Sequence, residues 1–337
     1  MSDTPEQANL PAQISDALTG IPKALVPASL KALDRLIGAA VDVPVAWLAQ
    51  KKAYIDAQTR AYTQVEEAIA NAAAAEAEAD EDTVRNAVNV LVRKAYRKQV
   101  NRESVAAAMV EDLRSAEEAK GLEVSDTATP LDEDWLNVFE RYAEDASTER
   151  MQNLWGRVLA GEIRKPGRYS TRTLRFLSEF SRSEGLLFAE FCKSSFGDTA
   201  PNALVQPAGK SDIRDLISLE SSGLIQGATG LGLSLKLTFD ANGNSFMREG
   251  ALMLVLKGAP GEQIQIGACM LTTLGQELQS LLPGRDVRAA ARAVAAAIRM
   301  PAITSAIMAT TIGSDGSYAV PIETLWQPTT TTGENKT

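Results

Sequence analysis

Apolar residues recur three and four positions apart through most of 28–196, and beyond about residue 223 the texture turns to short apolar runs broken by glycine and asparagine. The first spacing keeps side chains on one stripe of a helix, and the second suits short strands. The pattern predicts a mainly α fold with a small α+β part. It begins with an irregular arm over 1–27, where Pro5, Pro11, Pro22 and Pro27 interrupt any periodicity. A helical region over 28–130 follows. Leu30, Leu33, Ile37 and Val41 mark one helix. Leu48, Ile55, Tyr62 and Ile69 lie seven apart and predict a long helix from Val45 to Ala79. Lys51 and Gln58 spoil its second seam, so a packed helix is favoured over a coiled coil. The acid-rich stretch that follows Ala79 ends it. Val84, Ala87, Val88, Leu91, Val92 and Ala95 form the apolar stripe of one or two helices over 82–119, and 120–134 is a linker.

The most regular pattern lies in a central helical cluster over 131–200. Trp135, Val138, Phe139, Tyr142 and Ala143 form one helical face, and Met151, Leu154, Trp155, Val158 and Leu159 repeat the spacing. Asp145 or Ser147 is placed to cap the second of these helices. Pro166 stops it, Gly167 supplies the turn, Ser170 starts a third helix, and Ser181 with Glu184 forms a capping box for a fourth. Residues 201–283 read as a winged-helix-like α+β module: a helix over 211–222 ending at Gly223, short strands, then a helix starting at Thr272 or Thr273. A helix over 286–299 and a hairpin around "GSDG" close the fold over 284–327, and the tail 328–337 is disordered by composition.

Chemistry narrows the picture by exclusion. The 337 residues contain no histidine, which removes Ser-His-Asp and Cys-His nucleophiles and histidine-ligated metals. The two cysteines, Cys192 and Cys269, make no CxxC and read as reduced, buried thiols. No phosphate-binding loop occurs, and "GATGLG" over 227–232 is followed by a strand-like run, so it reads as a hairpin turn. No catalytic residue, cofactor site or metal site is expected, and the chain reads as non-enzymatic. The polar N-terminus is no signal peptide, and the longest apolar run, 36–49, is too short to span a bilayer. The expected location is the cytoplasm, with a peripheral position at the inner membrane as the alternative if 28–49 lies in the membrane plane.

Net charge is −9, yet two basic islands stand out. One holds Arg93, Lys94, Arg97, Lys98 and Arg102 with no acid among them. The other, over 157–175, holds six basic residues, including Arg164, Lys165, Arg168 and Arg172, against one acid, Glu162. These are candidate interaction residues. A phosphate or nucleic-acid contact is one reading. The favoured one is internal complementarity, with basic 157–175 facing acidic 123–149. Glu162 is expected to pair with its cationic neighbours and tie the helix end to the following turn. It is not expected to act as a general acid, because adjacent cations lower a carboxylate's pKa. Over 205–282 five bases meet seven acids, and the helix over 211–222 carries Arg214 among three acids, which suits a protein partner better than DNA.

Trp135, Phe139, then "STERMQNLWGRVLAGE" and "PGRYSTRTL" match the pattern D-W-x-x-x-F, S-x-E-x-M-Q-x-L-W-x-x-x-L-A-G-E, P-G-x-x-S-x-R-T-L. Trp135, Trp155, Glu162, Pro166, Gly167 and Ser170 are its fixed points. With these residues the chain resembles, over roughly 85–283, an uncharacterised bacterial family catalogued as a domain of unknown function. In layout it is also similar to abortive-infection alpha-type proteins, which implies phage defence as a setting. Neither likeness brings catalytic residues. The resulting expectation is an interaction, assembly or sensing protein with a protein partner or a second copy of itself. Membrane association and nucleic-acid binding are the alternatives.

Overall fold

The computed structural model describes residues 20–37, 81–118, 130–206, 213–229, 232–312 and 318–327, with a few helical positions between 64 and 71. The arm before residue 20, most of the helix expected over 45–79, the 119–129 linker, the "GSDG" turn and the tail lie outside the described residues. The chain is mainly α with a small α+β part, and it divides into two compact units, 1–178 and 179–337.

The first unit is helical. Its first described residues, 20–27, are more ordered than the proline count implies. A 3-10 turn, Lys23–Leu25, runs into α1, Val26–Ile37, and Ile21 and Leu25 are buried. Pro27 falls in the first turn of α1, where a missing N–H costs nothing. Ser29, Ala32, Leu33 and Leu36 of α1 are buried, so the part of the 28–49 segment that is described turns its apolar side inward. α2, Glu81–Glu118, is one unbroken helix of 38 residues, about 57 Å long at 1.5 Å per residue. No proline or glycine interrupts it. Its C-terminal half supplies Val105, Ala106, Met109, Val110 and Leu113 to the core, whereas no residue from 82 to 102 is buried.

α3, Glu133–Ala143, is capped by Asp132, whose carboxylate accepts from the Trp135 amide at 2.8 Å. α4, Glu149–Arg164, packs along α2. Its cap is Thr148, not Asp145 or Ser147: Thr148 Oγ1 accepts from the Met151 amide, placing the cap hydroxyl one residue nearer the helix. Gly156 sits at the crossing of α2 and α4, where an added Cβ would stand 2.5 Å from Ala108 Cβ and 2.8 Å from the Met109 amide nitrogen. Gly156→Ala is therefore expected to force the helices apart and cost about 1–3 kcal/mol by overpacking, read as a lower denaturant midpoint at unchanged slope. α5, Thr171–Glu179, completes the helical series, with Thr173, Leu174 and Leu177 buried.

The second unit opens with α6, Arg182–Lys193, under the expected capping box: Ser181 Oγ accepts from the Glu184 amide and Glu184 accepts from the Ser181 amide. Then come β1, Thr199–Pro201; α7, Asn202–Val205; α8, Arg214–Ser221; β2, Ile225–Gln226; β3, Leu233–Thr238; β4, Asn244–Glu249; β5, Leu252–Lys257; and β6, Gln263–Leu271. α9, Thr273–Gln279, starts at the Thr272 cap; α10, Val287–Ala297, follows the Asp286 cap; β7, Ser305–Ile312, and β8, Tyr318–Trp326, end the unit.

Two antiparallel sheets result. In one, β6 pairs with β1, β2 and β3. The other has the order β4-β5-β7-β8. The β4–β5 hairpin thus joins β7 and β8 rather than β3 and β6, so the strands within 244–257, 305–312 and 318–326 share one sheet. Register explains the choice. Met247, Leu254 and Met308 line up across three strands on the inner face, where Ala291, Val294, Ala295 and Ile298 of α10 and the following turn cover them. At about 1.5–3 kcal/mol per large buried side chain, that row and Leu256 give this pairing its driving force.

Candidate functional site

The signature residues converge at the end of α4. Trp135 stacks on Phe139 at 5.1 Å, Phe139 meets Trp155 edge-on at 5.6 Å, and Tyr142 stacks on Trp155 at 5.6 Å. Trp155 and Leu159 are fully buried. The indole N–H of Trp135 donates to the Tyr169 carbonyl at 2.7 Å, so the first motif element holds the last. Glu162, only 2% exposed, turns its carboxylate onto the turn after α4. There it accepts from the Gly167 amide and, at 3.0 Å, from the Tyr169 amide. Glu162 does tie the helix end to the turn, as expected, with backbone amides among its partners. Arg164, its expected cationic neighbour, reaches Asp112 of α2 instead. The physical reason is geometry: Pro166 and Gly167, with φ +80°, fold the chain back so that two amide N–H groups point at the carboxylate. The Tyr169 ring lies over Gly161, where a Cβ would come within 2.7 Å of it. Ser170 Oγ lies 3.0 Å from Thr173 Oγ1 and accepts from the Thr173 amide at the start of α5. Motif chemistry at 135, 155, 162, 166, 167 and 170 thus builds a structural lock.

The basic islands are split between structure and surface. Lys98 pairs with Glu144, and Arg102 donates to Glu140 at 2.6 Å. The Glu144 carboxylate holds the Lys98 ammonium above its ordinary pKa. Arg157 and Arg164 converge on Asp112. Internal complementarity therefore exists with other partners than expected: Glu140 of α3 and Glu144 at its C-terminal cap serve the 93–102 island, and Asp112 of α2 serves the 157–175 island. Arg93, Lys94, Arg97, Lys165 and Arg172 are exposed, and Arg168 lies 5.5 Å over the Tyr169 ring. On the same surface of α2, Val90 and Leu91 are 66% and 67% exposed.

In the second unit the residue that pattern reading misses is Arg285. Its guanidinium donates to Glu249 in a fork, to the Cys192 carbonyl at 3.0 Å and to the Ser195 carbonyl. Glu249 in turn accepts from the Gly197 amide at 2.9 Å. Its partners lie 36 to 93 residues away, so no local spacing announces it. Cys192 and Cys269 are free and buried, and burial pushes the thiols up to about 12 and about 11.

Glu220 has a smaller version of the Glu162 role. It accepts from the Gly227 amide at 2.7 Å, the Ala228 amide at 3.2 Å and the Thr229 hydroxyl, shaping the glycine-rich turn expected there. The Thr229 hydroxyl above all holds the Glu220 carboxyl below its ordinary value; burial opposes it, and the backbone amides of 227–229 add to the lowering. A lowered folded pKa means stability present above the unfolded pKa and lost as pH falls through the folded one. Glu220→Gln is thus expected to be less stable than the parent at pH 7. The gap should close as pH falls below the ordinary glutamate range, measured by thermal unfolding at pH 7 and pH 3.

Among the described residues no group of three or more Cys, Asp or Glu side chains could hold a metal ion, and no helix is long and apolar enough to cross a membrane. By fold the chain is a mainly helical protein with an antiparallel two-sheet unit, and its motif lock is structural. Residues 90–243 match the model of a family described as a protein of unknown function (DUF2806), and this stretch contains the whole signature from Trp135 to Leu174. No curated protein and no solved structure matches the chain.

Proposed function

We propose that the chain is a non-enzymatic interaction and assembly protein of the bacterial cytoplasm, with anti-phage defence as the setting its layout suggests. The observation that carries this reading is the surface of α2. Val90 and Leu91 are exposed to 66% and 67% on a helix where nothing from 82 to 102 is buried, beside the cations Lys94 and Arg97. Apolar side chains ringed by charge suit a protein contact. The winged-helix-like reading of 201–283 enters as a second protein-facing surface, because α8 carries a single base, Arg214, with two acids, Asp215 and Glu220. Photo-crosslinking in cells tests the proposal. A benzophenone side chain at Leu91 should give discrete protein adducts, and one at the exposed Lys193 should not. No adduct at 91 above that control overturns it.

A further inference from the structure

We infer that the turn after α4 and the start of α5 form a contact surface for the phosphate backbone of a duplex nucleic acid. This goes beyond the α2 reading and does not rest on it. The 157–175 island holds six bases and one acid, Glu162. Asp112 takes up Arg157 and Arg164. The Glu162 carboxylate is 2% exposed and turned inward onto the Gly167 and Tyr169 amides. The bases left to face solvent are Lys165, Arg168, Arg172 and Arg175. Among the described residues, no acid pairs with Lys165, Arg168 or Arg172. Helical spacing puts Arg172 and Arg175 on the exposed side of α5, away from Thr173, Leu174 and Leu177. Trp135 brings the first turn of α3 alongside Tyr169. Of the acids there, Asp132 caps the helix and Glu133 pairs with Lys31, which leaves Asp134. The local field is positive on a chain whose net charge is −9.

What lies between these cations selects the partner. The exposed residues from 164 to 175 are Lys165, Gly167, Ser170, Thr171, Arg172 and Arg175: cations, hydroxyls and one glycine. Arg, Lys, Ser and Thr side chains are the groups that contact phosphate oxygens. A protein contact is built around an apolar centre, and no apolar side chain is exposed in this stretch. Single strands are held by stacking bases on aromatic rings. The ring here, Tyr169, is 2% exposed, with Arg168 lying over it at 5.5 Å. Charge without an apolar centre or a stacking ring fits a duplex bound by its backbone, without base readout. The motif lock prepares the surface. Glu162 holds the Gly167 and Tyr169 amides, Trp135 holds the Tyr169 carbonyl, and Ser170 accepts from the Thr173 amide. The cations therefore stand on a fixed backbone, and binding does not pay to order a loop.

Fluorescence anisotropy with the full chain tests the inference, using one labelled DNA duplex and one labelled RNA duplex. The phosphodiester backbone is common to both, and the two arms show which form the surface takes. Three or four phosphate contacts at about 0.9 each predict a roughly 40- to 150-fold loss of affinity between about 50 and 200 mM salt. Lys165→Gln with Arg172→Gln should lower the salt slope by about two and weaken binding about tenfold or more at low salt. Both side chains are exposed, so the thermal midpoint of that variant should stay at the parent value. Arg93→Gln with Arg97→Gln, in the other island, should change neither slope nor affinity. Absent binding to both duplexes, or binding that ignores salt, overturns the inference. So does an equal loss in the Arg93 and Arg97 variant, or polyglutamate competing as well as a duplex of equal charge. Crosslinking at Leu91 reads the α2 surface separately, so failure here leaves that reading standing.

Discussion

Glu162→Ala is expected to destabilise the helical unit by about 3–5 kcal/mol, because two amide hydrogen bonds to a charged acceptor, each worth about 1.5–3 kcal/mol, are lost at once. The Tyr169 amide is buried and Glu162 is 2% exposed, so water cannot take over without opening the turn. Glu162→Gln keeps one oxygen to accept from one amide but turns an NH2 group towards the other, and should lose roughly half as much. Hydrogen exchange should show the loss first at 165–170, since the carboxylate is what holds that turn to α4. The lock also ties in Trp135 through the Tyr169 carbonyl, so protection should fall at the start of α3 as well. An alanine variant within 0.5 kcal/mol of the parent would remove the structural role assigned here. The same variant folding normally while losing a cellular function would point to chemistry at the carboxylate.

Arg285→Ala should cost the second unit a similar amount, about 3–5 kcal/mol, because it leaves the Glu249 carboxylate without its counter-charge in a site where the two side chains are only 8% and 18% exposed. The Cys192 and Ser195 carbonyls lose their donor in the same step. Arg285→Lys keeps the charge but not the fork and should fall between the two. The double variant Arg285→Met with Glu249→Leu separates causes: if the unpaired charge dominates, it regains much of the loss, as buried pairs replaced by apolar side chains do. If the double variant is as unstable as Arg285→Ala, the carbonyl contacts dominate instead. Denaturant midpoints at constant slope give the comparison.

Helices were legible in the sequence wherever one face had to be buried locally. Trp135, Phe139, Trp155 and Leu159 announce their spacing because each packs within a turn or two of its neighbours in sequence, and the Ser181–Glu184 and Thr272 caps are equally local. Caps that depend on the entry angle of the chain were not: Thr148 rather than Asp145 or Ser147 closes α4. Partner choice was the least legible. Glu162 had four cations close in sequence, but nothing local announces the backbone amides that the Pro166–Gly167 turn aims at it, or that Arg164 finds Asp112 one helix away. Arg285 and Glu249 had no local signal, since distant strands and loops bring them together. Likewise, nothing in the short runs 244–257, 305–312 and 318–326 specifies that they share a sheet; the aligned Met247, Leu254 and Met308 decide it in three dimensions.

That shared sheet sets an order of events on the ribosome. β5 carries Leu252, Met253, Leu254, Val255 and Leu256 in one run, and its second edge is closed only by β7, about fifty residues later. Until Ser305–Ile312 emerges, a growing chain presents one of its most apolar strands with an open edge, the condition in which strands recruit unrelated neighbours. The helical unit has no such debt, because Val105, Met109, Trp155 and Leu159 all precede residue 178. Synthesis slowed between β5 and β7 should therefore raise aggregation, while slowing before residue 178 should not.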